Sequence, residues 1–289
     1  MNQNLEKICF LIGNPVTHSF SPGMHRLAFK KYKMKDWDYK LKKIENEKEL
    51  DKFVRKVRNK KSTGFNVTIP YKIKIMDYMD RVKKTAREIG AVNTVNNVSG
   101  KLIGYNTDHT GFRNDLQESL DFSPQLVRED RAMVLGAGGA GRVVIWVLLS
   151  IFKKVFIYDI YYKKAKKLKK EYTKIFPHRK IEVLKKDSLK EALEQISMLV
   201  NASPVGMRKG SPPLNLKPGG VKPDLKVYDV VYNRTTELIA QARSLGLRAS
   251  GGIGMLSGQG AEAFRIWTGQ KSPKKIMTEY LQNEVKKND

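Results

Sequence analysis

The sequence predicts an α/β chain of two domains, the second built on a doubly wound parallel sheet. Three observations carry this. The 289 residues suit two domains or one large one. Short apolar runs alternate with helix-like stretches along most of the chain. Finally, Ala132 to Arg142, AMVLGAGGAGR, places G-x-G-x-x-G between a strand ending in Met133-Val134-Leu135 and an apolar run, Val143 to Leu149, that reads as a helix. That context points to a Rossmann-like dinucleotide site. Gly136 permits the tight turn, Gly138 lets backbone approach a pyrophosphate, and Gly141 lets helix and strand close up. Ala137, Gly139 and Ala140 complete the turn, and the helix start offers unpaired N–H groups to phosphate charge. The plain alternative is a glycine-rich turn with no ligand.

From the N-terminus, Lys7 to Ile12 reads as a strand, broken by Gly13-Asn14-Pro15. The single cysteine, Cys9, lies inside it and reads as a buried strand residue; one thiol makes no internal disulfide. Ser21-Pro22 reads as a helix start, with Met24, Leu27 and Ala28 on its apolar face. Ser21 is therefore an N-cap or a binding residue. Ser19 has no capping duty, and two hydroxyls beside a helix N-terminus suit a carboxylate. His18 and His25 pair with nothing nearby into a metal site.

Trp37 to Lys42 reads as a strand and Glu47 to Arg58 as a helix. In Gly64 to Lys72, GFNVTIPYK, a strand carries Asn66 and Thr68 on one face and Pro70 stops it. A helix through Ile73, Met76 and Met79 is expected next, which places Lys72 in its first turn. The dipole there disfavours a cation and so favours the neutral amine a general base needs; the alternative is a surface lysine. Ala91 to Val95 reads as a short strand holding Asn93. After a turn at Ser99-Gly100, Leu102 to Asp108 leads into a helix over Gly111 to Leu120. Asp108 is either a capping residue or a carboxylate kept ionised by that helix and able to pair with a lysine. His109 is a solvent-facing first-turn residue or a second acid–base group.

Asp121 to Arg131 reads as a polar connector. Beyond the glycine turn, Lys154 to Asp159 is the next strand. Asp159 stands 23 residues after Gly136, where a dinucleotide site places an acid on the ribose hydroxyls of NAD. A carboxylate there repels the extra phosphate of NADP, although Lys163 and Lys164 offer that phosphate a partner. Strands at Lys180 to Leu184, Met198 to Asn201, Val227 to Val231 and Arg248 to Ser250 alternate with helices at Leu189 to Ile196 and Glu237 to Leu245. Ser203 and Val205 lie in a loop after the fourth strand, at the strand ends where such sheets bind ligands. Gly251-Gly252 precedes a helix through Gln259 to Trp267, and a last helix spans Pro273 to Val285.

The net charge is +26, spread along the chain and supplied mainly by lysine. Its densest block, Lys163 to Lys170, sets Ala165, Leu168 and Tyr172 at helical spacing, the pattern of a solvated amphipathic helix. No zinc-finger spacing, RNA-recognition sequence or basic tail accompanies the charge, so a nucleic-acid partner is not expected. No apolar run reaches the length of a membrane span, and no charged-then-apolar leader opens the chain, so a cytoplasmic protein is expected.

Taken together, GNPVTHSFSP, NVTIPYK, AVNT, GYNTD, the glycine turn, NASPVGM, VVYN and GIGMLSGQGAEAF occur in an order that resembles the shikimate and quinate/shikimate dehydrogenases, from Gly13 to Trp267. The resemblance implies reversible hydride transfer between a nicotinamide cofactor and the ring alcohol of shikimate, giving 3-dehydroshikimate. It implies that Lys72 is the acid–base group oriented by Asp108. Ser19 and Ser21 would hold the substrate carboxylate with Tyr232 nearby, and Thr68, Asn93, Asp108 and Gln259 the ring hydroxyls. It further implies a substrate-binding domain over residues 1–108 completed by 255–289, and an inserted NAD(P)-binding Rossmann-like domain over 109–254, with Gly252 at the cofactor.

Two departures from the family pattern stand out. NADP-using members carry Asn-Arg-Thr at the end of the second cofactor-domain strand, where this chain has Asp159-Ile160-Tyr161. His109 replaces a glycine common in the family. The expectation is therefore an NAD-preferring shikimate dehydrogenase, with NADP as the alternative cofactor and quinate as a further substrate. No metal is expected, and a monomer or homodimer is. Another polyol acid such as an aminoshikimate, or a non-catalytic dinucleotide-binding protein, are the competing readings.

Overall fold

The computed structural model describes residues 7–59, 63–122 and 128–287. The chain forms two compact units, Met1–Thr110 with Ser257–Glu284, and Gly111–Leu256 with Val285–Asp289.

The first unit runs β1 (Lys7–Gly13), α1 (Ser21–Lys31), β2 (Trp37–Lys43), α2 (Glu47–Asn59), β3 (Gly64–Val67), β4 (Arg81–Val82), α3 (Lys84–Ile89), β5 (Thr94–Val98) and β6 (Lys101–Tyr105), then the start of α4 (Asp108–Leu120). Its sheet has the order β2-β1-β3-β5-β6-β4. The parallel arrangement suggested by strand–helix alternation holds only for β2, β1 and β3 and again for β6 and β4. β5 is antiparallel to both neighbours. The cause is local: Ser99 and Gly100, with φ of 53° and 88°, form a two-residue turn that folds β5 back on β6. On α2, Leu50, Phe53, Val54 and Val57 are buried at helical spacing. Each such side chain contributes roughly 1.5–3 kcal/mol by leaving water.

Several expectations need correction here. Ser21 does not cap α1; it is the first helical residue, and Phe20 occupies the cap position without a side-chain bond. The Ser21 N–H is instead taken by Ser19 Oγ at 3.2 Å. β5 begins at Thr94, so Asn93 precedes the strand rather than sitting within it. The helix expected after Pro70 is only a 3-10 turn over Lys74–Tyr78, and Lys72 lies outside it. The Lys72 carbonyl, which a helix would use internally, accepts from Val92 N at 2.8 Å. No helix dipole therefore acts on Lys72. β4 and α3 were not anticipated. They are too short and too polar, RV and KTAREI, to leave a hydrophobic period.

In the second unit, β7 (Arg128–Leu135), α5 (Gly139–Ile151), β8 (Phe152–Tyr158), α6 (Tyr162–Ile175), β9 (Lys180–Val183), α7 (Leu189–Leu193), β10 (Met198–Asn201), β11 (Lys226–Asp229), α8 (Glu237–Ser244) and β12 (Ala249–Gly251) follow in order, strand and helix alternating except between β10 and β11, which a loop joins. The connector expected over Asp121 to Arg131 is overtaken at its end by β7, and residues 123–127 lie outside the described residues. The sheet order β12-β11-β10-β7-β8-β9, parallel throughout, is the doubly wound arrangement. One apolar core packs on α5 and α6, with Val144, Leu148, Leu168 and Tyr172. The other lies on the opposite face under α7 and α8, with Leu193, Leu199, Leu238 and Ala242. The chain closes with α9 (Ile253–Thr268) and α10 (Lys274–Lys286).

The C-terminal part of α9 returns to the first unit, where Trp267 Nε1 donates to Val95 O of β5 at 3.0 Å. That contact leaves no room at Gly64, where a Cβ would lie 2.3 Å from Val95 O and 2.4 Å from Trp267 Nε1. No helix among the described residues is long and apolar enough to cross a membrane. Gly64→Ala is expected to cost about 2 kcal/mol in urea unfolding through overpacking. Gly210→Ala, whose Cβ meets nothing within 4 Å, should stay within about 0.5 kcal/mol.

Candidate active site

The glycine turn follows β7 and opens α5, with Gly138 at the N-cap. Gly136 has φ +104°, and a Cβ there would stand 2.9 Å from the Ala202 carbonyl and Ser203 N. At Gly141 a Cβ would meet Gly136 O at 2.2 Å. Gly138 is different: nothing lies within 4 Å of its Cβ position, so its face is open to a ligand. The turn therefore fits a pyrophosphate, with two glycines imposed by packing and one left clear for approach.

Asp159 follows β8 and is half-buried. One oxygen accepts from Ala137 N at 2.7 Å and the other from Tyr161 N at 2.7 Å. The carboxylate is thereby fixed beside the glycine turn. Ile160 and Tyr161 are 77% and 61% exposed, and the Lys164 ammonium lies 4.5 Å from the Tyr161 ring centroid.

Ser203 sits in the loop after β10, its Oγ donating to Asn201 Oδ1 at 2.6 Å. Asn201 Nδ2 donates to the Val205 carbonyl at 2.9 Å, so one buried asparagine shapes the loop at both residues. It also donates to Asp229 Oδ1 at 2.9 Å. Asp229 further accepts from Val231 N and Thr236 Oγ1, yet burial pushes its pKa up to about 6. Gly252 lies against the Val230 carbonyl, 2.3 Å from its Cβ position. Tyr232 follows β11, and burial raises its phenol above the usual value.

In the first unit, the sheet brings Lys72, Asn93, Asp108 and Gln259 together. Lys72 Nζ donates to Asp108 Oδ2 at 2.7 Å, the two side chains being 16% and 9% exposed. Asp108 Oδ1 accepts from Asn93 Nδ2 at 2.8 Å. The same amide reaches Thr107 Oγ1 at 3.0 Å and Gln259 Oε1 at 3.4 Å. Asn93 Oδ1 accepts from Thr107 N at 2.6 Å, which fixes the amide with its nitrogen toward the carboxylate.

Ser19 and Ser21 are paired, Ser19 Oγ donating to Ser21 Oγ at 3.1 Å at the start of α1. Thr68 follows β3, with its methyl against the Gly13 backbone. His109 Nδ1 lies 2.5 Å from Asn106 O, which ties the ring to its own helix start. Sequence reasoning missed Thr94 and Thr107, whose hydroxyls lie 3.0 Å apart and which are both buried beside Asn93. Their signal was a hydroxyl next to a polar residue in AVNT and GYNTD.

Comparison with known proteins bears on this geometry. The family model for the shikimate dehydrogenase substrate binding domain matches residues 11–95, and that for the shikimate 5'-dehydrogenase C-terminal domain matches 252–282. Shikimate dehydrogenase (NADP(+)) of Methanocaldococcus jannaschii is 36% identical over 97% of this chain and 98% of its own. The chain belongs to the shikimate dehydrogenase family. Among solved structures, Listeria monocytogenes shikimate 5-dehydrogenase in complex with shikimate and NAD is 31% identical, with a TM-score of 0.85 over 95% of this chain and 96% of its own. Quinate dehydrogenase from Corynebacterium glutamicum in complex with NAD is 26% identical, with a TM-score of 0.85 over 96% and 98%.

Asp229 makes stability in the second unit depend on pH. Its folded pKa lies above the ordinary carboxylate value of 3.8, so the folded state holds the proton more tightly. Its contribution is full below about pH 4 and is lost as pH rises through about 6. Unfolding free energy from this group should fall by about 1 kcal/mol between pH 5 and pH 7. Asp229→Asn should remove that component when urea unfolding is compared at the two values.

Proposed function

We propose that this chain interconverts shikimate and 3-dehydroshikimate with NAD as its preferred cofactor, and that it also accepts quinate. The observation that carries the reading is Lys72 Nζ held 2.7 Å from Asp108, with Asn93 on the second carboxylate oxygen. Oxidising a ring alcohol removes a hydride from carbon and a proton from oxygen. A bound nicotinamide supplies the hydride acceptor. The residues of this chain handle the proton and the substrate's orientation.

In the oxidation direction the neutral Lys72 amine takes the hydroxyl proton, and in reduction the ammonium returns it. Asp108 holds Nζ at one point, so the amine meets the hydroxyl in a fixed direction. Thr68, Asn93 and Gln259 offer hydrogen-bonding groups to the ring hydroxyls. The paired serines at the start of α1 supply two hydroxyl donors for the carboxylate, the group that shikimate and quinate share. In the second unit, Gly136 to Gly141 would receive the pyrophosphate, with Ser203, Val205 and Gly252 as further contacts.

The NAD preference rests on Asp159, whose charge is fixed beside the glycine turn by two backbone donors. A carboxylate there accepts from ribose hydroxyls and repels a 2′-phosphate. The Methanocaldococcus relative is named for NADP(+), so this preference would set the chain apart from it.

Steady-state assays of shikimate and quinate, each with NAD and NADP, test the reading. Turnover of shikimate is expected, with kcat/KM for NAD above that for NADP by about tenfold, near 1.4 kcal/mol. Turnover with no pair rejects the activity, and an NADP preference rejects the role of Asp159. Asp159→Ala should lower kcat/KM with NAD and spare NADP. Lys72→Ala should lower kcat by about 10²–10⁴ with a smaller change in KM.

A further inference from the structure

The first unit carries a polar chain that the Lys72–Asp108 pair does not by itself require. It uses Tyr39 on β2, Asn66 on β3 and Thr94 on β5, all fully or nearly fully buried. The Tyr39 ring lies flat on His25, with centroids 4.4 Å and planes 2° apart. Burial pushes His25 down to about 3, so the stack is with a neutral imidazole, and Trp267 closes on it at 5.4 Å. The ring of Tyr39 is thus clamped, and its hydroxyl is aimed.

The hydrogen bonds run in one direction. Tyr39 donates to Asn66 Oδ1 at 2.7 Å, and Asn66 Nδ2 donates to Thr94 Oγ1 at 2.9 Å. Thr94 donates to Asn93 Oδ1 at 3.1 Å, and Asn93 Nδ2 donates to Asp108 Oδ1 at 2.8 Å. Each hydroxyl has one proton and each amide one donor end, so the direction of one link sets the next. Asn66 cannot turn over without presenting its oxygen to the Asn93 carbonyl, to which Nδ2 now donates at 3.2 Å.

We propose that Tyr39 is a positioning residue that holds the Asn93–Asp108–Lys72 group in place through Asn66 and Thr94. The inference rests on the functional reading above. Tyr39, clamped against His25, anchors a buried chain whose far end is the carboxylate holding Lys72. Alignment of Lys72 then depends on the Tyr39 hydroxyl.

The test compares kcat and KM for shikimate in the unaltered chain, Tyr39→Phe, Thr94→Val, their double variant and Thr94→Ser. Tyr39→Phe keeps the stack on His25 and removes one oxygen. It should lower kcat about tenfold with KM held within about twofold, and Thr94→Val should do the same. Because both cut one chain, the double variant should also lose about tenfold, where independent effects would multiply to about 100-fold. Thr94→Ser, which retains the hydroxyl, should recover kcat to within about twofold. An unchanged kcat in Tyr39→Phe, a loss confined to KM, multiplying losses, or no recovery in Thr94→Ser would each overturn the coupling while an active parent leaves the functional reading standing. An inactive parent chain overturns both.

Discussion

A charge pair with little access to water is sustained only where its remaining lone pairs and protons find partners. The Lys72–Asp108 pair has that need, and the first unit is arranged around meeting it. The β5–β6 hairpin sets the residues before β5 beside those after β6, so Asn93 meets Thr107 and Asp108. The Lys72 carbonyl is tied to Val92, one residue from Asn93, so lysine and asparagine are fixed to the same stretch of backbone. Gln259 arrives from α9, which Trp267 pins to β5. An all-parallel sheet would have separated these segments by crossovers; the antiparallel strand is what joins them.

The second unit meets a different demand by a different means. Its candidate site has few side chains and is shaped by where side chains are forbidden. Gly136 and Gly141 close the turn on itself and against the residues after β10, while Gly138 leaves a clear face. A single carboxylate, that of Asp159, is fixed there by two backbone donors. Buried Asn201 and Asp229 shape the next loop through hydrogen bonds to Ser203, Val205, Val231 and Thr236. One unit thus works by side-chain networks and the other by backbone shape.

This contrast explains what could be read from the sequence. The second unit was legible almost element by element, because strand–helix alternation and glycine spacing are local patterns. Lys72, Asn93 and Asp108 were singled out as chemistry, but the reason given for Lys72 did not survive. A proline followed by apolar residues suggests a helix, yet the diverted Lys72 carbonyl leaves only a 3-10 turn. Ser21 misled in the same way, since Ser19 does the capping work from two residues earlier. Tyr39, Asn66 and Thr94 each look ordinary alone. Their chain exists because three strands stack them across a sheet, and no local window contains that register.

The packing of the glycine turn also sets the room for change in this protein. Side chains are barred at 136 and 141 by backbone atoms, which no rotamer adjustment can move aside. If the proposed cofactor reading holds, change in the nucleotide taken up is channelled to the neighbouring segment from Asp159 to Lys164. There Ile160 and Tyr161 are open to solvent and lysines stand ready. On that reading the turn is closed to new side chains, and the segment open to change is six residues long.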